Sequence, residues 1–113
     1  MEATFQRQRQ YSRHKPPKRM LIAWRSAGCR MVSRAEVMGM GGLFLHTASP
    51  PEQGTIIEVL FDLEPGEVRA RAVVRDSAPG KGMGVQFVQM DPDARARLTR
   101  FLSQCAPAEP PPC

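Results

Sequence analysis

From residue 20 to residue 88 the apolar positions come in short runs, and two of them, Val68–Val74 and Met83–Phe87, have a period of two. That is the spacing of strands with one face in a core. Met20-Leu21-Ile22-Ala23-Trp24 is the first run and predicts a strand, closed by a turn at Ser26-Ala27-Gly28. A second strand is expected over about 29–38, where apolar and polar residues mix. The glycine-rich stretch Gly39-Met40-Gly41-Gly42 then runs into Leu43–Thr47, a short third strand. Glycine accepts positive φ and close approach, so this stretch reads as a turn, a bulge or a ligand-facing bend.

Ala48–Gly54, with Pro50 and Pro51, is a loop. Thr55-Ile56-Ile57-Glu58-Val59-Leu60-Phe61 is β-branched and apolar, a fourth strand. Glu64-Pro65-Gly66 turns the chain into a fifth, where Val68, Ala70, Ala72 and Val74 alternate with Arg69, Arg71, Val73 and Arg75. The arginines of that run are expected outward, on a solvated face. Asp76–Gly82 reads as a second polar loop, and Met83, Val85 and Phe87 mark a sixth strand.

The period then changes. Asp91-Pro92-Asp93 supplies an N-cap acid, a proline suited to the first helical position and an acid in the first turn. Ala94, Leu98, Phe101 and Leu102 follow on one helical stripe, the face expected to dock on the sheet. Six strands and a terminal helix predict a mainly β fold, a small barrel or sandwich with the helix over an open face. Pro16-Pro17 disfavours helix and central strand, so residues 1–18 form an extended arm. Residues 19–104 hold the folded body, and 105–113, with Pro110-Pro111-Pro112, read as a disordered tail.

At 113 residues the chain has room for one modest core, and 24% charged residues is ordinary for a globular protein. Charge adds an asymmetry. Residues 1–34 hold nine Lys or Arg against Glu2 alone, a net +8, whereas residues 35–113 carry a net −3. The excess is a basic arm, suited either to an anionic partner or simply to solvent. No apolar run is long enough to span a bilayer and the N-terminus lacks an apolar signal core, which points to the cytoplasm. Cys29, Cys105 and Cys113 give neither a disulfide framework nor a zinc spacing, and His14 and His46 have no second ligand nearby, so no metal is expected.

Nothing in the sequence is arranged for catalysis: no Ser, Cys or His has a nucleophile's setting, and the glycine-rich stretch lacks the lysine of a P-loop. Binding is the better class, and no cofactor is expected. Arg9-Gln10-Tyr11-Ser12-Arg13 places two arginines four apart on the arm. A guanidinium donates paired hydrogen bonds to phosphate oxygens or a guanine edge, and stacks on bases.

The order of these features resembles the PilZ family: the R-x-x-x-R arm, a strand bearing Trp24, Gly41-Gly42-Leu43-Phe44-Leu45, Gly82-Met83-Gly84-Val85-Gln86-Phe87, and Asp91-Pro92 opening a helix. The resemblance covers about residues 7–103. It implies a six-stranded β-barrel with a C-terminal helix, a bacterial signalling module that binds cyclic di-GMP and relays it to partner proteins. It carries guanine and phosphate binding to Arg9 and Arg13. The family's second motif, [D/N]-x-S-x-x-G, aligns its glycine on Gly42, which puts Val37 at the acid or amide position and Gly39 at the serine position. Valine cannot pair with a guanine edge. A charged hydrogen bond contributes ~1.5–3 kcal/mol, so its loss predicts binding weakened by roughly 10- to 150-fold. Glu36 is one residue away, and a one-residue step along a regular strand points to the opposite face.

Three readings follow. The chain is a cyclic di-GMP receptor using Arg9, Arg13 and Gly42, or a ligand-independent adaptor that works through protein contacts in motility or polarity control. The third, a nucleic-acid-binding barrel, ranks last because only Phe5, Tyr11 and Trp24 lie near the arm as stacking platforms.

Overall fold

The computed structural model describes residues 13–16, 20–63 and 66–107. In chain order the elements are β1 (Arg13–Lys15), β2 (Leu21–Ser26), β3 (Cys29–Gly39), β4 (Gly42–His46), β5 (Ile56–Leu63), β6 (Gly66–Ala78), β7 (Gly82–Met90), α1 (Pro92–Leu102) and β8 (Ala106–Pro107). Strands β2-β5-β6-β7-β4-β3 are hydrogen-bonded in that order, and β2 also pairs with β3, so these six close into a barrel. Every pairing is antiparallel. The closed circuit removes the free edges that a six-stranded sheet would otherwise expose.

The strand signals become structure through local chemistry. The β2–β3 hairpin turns on Ala27 and Gly28, at φ 52° and 83°, between the paired Ser26 and Cys29. Two successive positive φ values match the right-handed twist of the flanking strands. Alternate residues then fill the barrel: Ile22 and Trp24 of β2, Ile57, Val59 and Phe61 of β5, and Met83, Val85 and Phe87 of β7 are all buried. Trp24 brings a polar atom inward, and its Nε1 donates to Ser33 Oγ at 2.9 Å, the hydroxyl being itself buried. That partner removes the cost of a buried unpaired N–H.

The helix closes the barrel. Pro92 opens it after Asp91, whose backbone is extended and whose side chain makes no capping bond. Ala94, Leu98 and Leu102 are buried and Phe101 is half-buried, as the stripe predicts. Complete burial of Leu98 contributes ~1.5–3 kcal/mol. Arg97 Nη1 donates to the Glu67 carbonyl at 3.0 Å and fixes the helix against the start of β6.

Two boundaries differ from the sequence pattern. Pairing of β6 with β7 continues through Ala78, so the loop expected from Asp76 shrinks to a turn around Pro79–Lys81. A register shift between Val74 and Asp76 absorbs the change, and polar residues are tolerated there because one face of the ladder is open to water. At the C-terminus, Ala106 and Pro107 pair with Lys15 and His14 of β1. Residues 1–12, including Arg9, lie outside the described residues, as do 108–113 and the Glu64-Pro65 part of the predicted turn.

Candidate functional site

The glycine-rich stretch becomes a corner held from three directions. On one side, Arg13 of β1 is paired with Gly39, and His14 with Met38. On another, Phe87 N–H of β7 donates to the Gly41 carbonyl at 2.8 Å. From below, the Thr99 hydroxyl of α1 lies 3.4 Å from Met40 Sδ, and Met40 packs on the core. None of Gly39, Gly41 and Gly42 has positive φ. Gly42 is required for a different reason: a Cβ there would lie 2.0 Å from the Val85 carbonyl oxygen. Its counterpart at the far end of the β4–β7 ladder is Gly82, where a Cβ would lie 2.2 Å from the Leu45 carbonyl oxygen. The approach that Gly42 permits is therefore that of β7, and it sets the distance between the two strands beside the corner.

Next to the corner β3 bulges. Ala35 is opposite Leu45 and Val37 opposite Phe44, so Glu36 is the additional residue. In a regular strand Glu36 and Val37 would face opposite ways. Here Ala35 and Met38 are buried while Glu36 is exposed and Val37 half-exposed, so both turn outward. The one-residue argument made from sequence against Glu36 does not hold, because the bulge suspends the alternation on which it rests. Glu36 Oε1 lies 3.2 Å from His46 Nε2 of β4, and the His46 ring meets Phe44 edge-on at 5.6 Å between centroids. Phe44 in turn covers Gly82 and Gly84 of β7. The outer face beside the corner thus holds a carboxylate, an imidazole and an aromatic ring in one line.

Of the predicted site residues, Arg13, Val37, Gly39 and Gly42 meet at this corner through the β1–β3 and β3–β4 pairings. Arg9 lies outside the described residues. The alternation alone could not place Glu36, and no residue type signals the bulge. His14 Nδ1, on the strand that carries Arg13, is buried without a hydrogen-bond partner among the described residues. Among the described residues no group of His, Cys, Asp and Glu is placed to hold a metal, and no helix is long and apolar enough to cross a membrane. Among the described residues the corner offers backbone groups at the turn, and the outer face beyond it the Glu36 carboxylate with the His46 imidazole beside it.

Comparison with known proteins bears on the fold. The family model described as PilZ domain matches residues 7–104. Among solved structures, the Bacillus subtilis inhibitor of motility (MotI/DgrA) superposes with a TM-score of 0.65 at 18% identity, covering 85% of this chain and 50% of that one. The Borreliella burgdorferi PlzA protein, solved in complex with c-di-GMP, gives 0.67 at 11% identity, covering 88% of this chain and 43% of that one. The PilZ domain of YcgR from Escherichia coli, solved with c-di-GMP, gives 0.67 at 14% identity, covering 86% of this chain and 90% of that one. The chain thus spans half or less of MotI/DgrA and PlzA. At these identities the likeness is one of fold. A comparison with curated protein sequences finds no match.

Proposed function

The chain belongs to the PilZ domain family, a family of non-catalytic binding modules, and from that premise we propose that it is a cytoplasmic receptor for cyclic di-GMP. The observation that carries the proposal is the pairing of Arg13 with Gly39, which joins the R-x-x-x-R arm to the Gly39–Gly42 turn. Arg13, with Arg9 upstream, binds phosphate and guanine, and the turn provides a close floor. The valine at position 37 leaves the guanine N–H edge without its usual acceptor. Glu36, turned outward by the bulge, supplies a carboxylate after exchanging His46 for the base. One carboxylate accepts from two guanine N–H groups together. Asp76, another carboxylate on this outer face, lies across Gly84 from Phe44, with β4 and β7 between it and Val37.

The ligand-free adaptor is the second reading. Val37 and Gly39 favour it, since neither side chain can hydrogen-bond a nucleotide. Calorimetric titration with cyclic di-GMP separates the two. The receptor reading expects saturable binding, weakened at least tenfold by Arg13→Ala and roughly 10-fold by Glu36→Gln, and strengthened by Val37→Asp. Absence of heat up to ~100 μM, a bound of about −5.5 kcal/mol, selects the adaptor.

A further inference from the structure

On the outer face away from the β1–β3–β4 corner, two rows of side chains run across β3, β2, β5 and β6. By strand register the first row is Val32, Ala23, Leu60, Arg69, and the second is Arg30, Arg25, Glu58, Arg71. The first row dips at Ala23, and a cleft of about 460 Å³ opens there, bounded by Met31 and Val32 on one side and by Arg25, Arg30 and Arg69 around it. That volume suits one or two buried side chains.

Both rows carry features that work against folding. In the first row Val32 is 62% exposed, leaving apolar surface in water. Arg25 and Arg30 are cross-strand neighbours of like charge, an arrangement that destabilises an antiparallel pair. The carboxylate in the row is already engaged: Glu58 pairs with Arg25, and that hydrogen bond and charge, with further help from Arg71 and Arg69, hold its carboxyl below the usual range. Positive charge therefore remains in excess around an apolar floor. An acidic segment with a large apolar side chain would relieve both costs at once.

We propose that this face docks an acidic, apolar-bearing segment of a partner protein, with the apolar side chain in the cleft at Ala23 and carboxylates on Arg30 and its neighbouring arginines. Nucleic acid fits less well. The floor is mostly aliphatic; Trp24 borders the cleft but is only 4% exposed, with its N–H on Ser33, which leaves too little ring for a base to stack on. This inference does not depend on nucleotide binding at the corner.

The test follows backbone amide shifts of the full chain during titration with a synthetic peptide of alternating Glu and Leu. A Glu/Ser peptide and a DNA duplex serve as comparisons. Expected are shifts centred on Ala23, Val32 and Leu60, with the Glu/Ser peptide about tenfold weaker or more. Arg30→Glu should weaken the Glu/Leu peptide about tenfold or more, yet raise Tm by a few degrees because it replaces a like-charge pair with an opposite one. Ala23→Leu, which fills the cleft without altering charge, should weaken binding while the fold persists. The proposal is overturned by shifts confined to other surfaces, by equal binding of the Glu/Ser peptide, by a duplex that takes the same rows in preference, or by undiminished affinity in either variant.

Discussion

The corner around Gly39–Gly42 and the arginine-bearing face across β3, β2, β5 and β6 are built on opposite principles. At the corner the backbone sets the shape: the Val85 carbonyl of β7 comes close enough to exclude a Cβ at Gly42, and helix, β1 and β7 all hold the same turn. On the face the backbone is a regular ladder, and the character comes from side chains standing free of it. Shape is therefore fragile at the corner and robust on the face, whereas the face gathers like charge in one row, Arg30, Arg25 and Arg71. A corner whose geometry is set by main chain depends first on its glycines, Gly42 above all.

Substitutions can break this contrast in order of expected size. Gly42→Ala puts a methyl 2.0 Å from a backbone oxygen that cannot rotate away, and should cost about 3 kcal/mol or more in urea denaturation. Gly28→Ala, at the hairpin beside the arginine face, meets nothing within 4 Å and costs only its positive φ of 83°, about 1 kcal/mol. Similar losses at the two glycines would remove the distinction. Between them lies Ser33→Ala, which strands the Trp24 N–H in the core and should cost roughly 1–3 kcal/mol.

The smallest effect sharpens the account of the face. Glu58 has its carboxyl pKa lowered in the fold, chiefly by its hydrogen bond to Arg25 and then by that residue's charge. A lowered carboxylate pKa contributes stability above the ordinary carboxylate range, lost as pH falls through the lowered value. Wild type should thus melt slightly above Glu58→Gln at neutral pH, with the gap closing under strong acid and in high salt. An unchanged gap at acidic pH would mean that the carboxylate charge is not its source.

Much of the barrel was legible because its rules are local. Alternation at Val68–Val74 and Met83–Phe87, the Ala27-Gly28 turn and the Asp91-Pro92 helix start each follow from neighbouring residues. The Gly39–Gly42 stretch was legible as important, but its reason was not. Whether glycine serves positive φ or close approach depends on the Val85 carbonyl, more than forty residues away in sequence. The outward turn of Glu36 was hidden for a related reason: a bulge is a property of two paired strands, and no single strand spells it out. The rows on the arginine face needed the register of four strands, so Arg69 and Arg71 could be placed outward but not beside Arg25 and Arg30.

The most direct measurement is a map of backbone amide shifts on adding cyclic di-GMP to the full chain at near-physiological salt. The account predicts saturable changes at Arg13, Glu36, Gly39 and Gly41, with the Ala23, Val32 and Leu60 amides unmoved. Changes centred instead on Arg25, Arg30 and Arg71, or no changes at all, would contradict the assignment of the nucleotide to the corner.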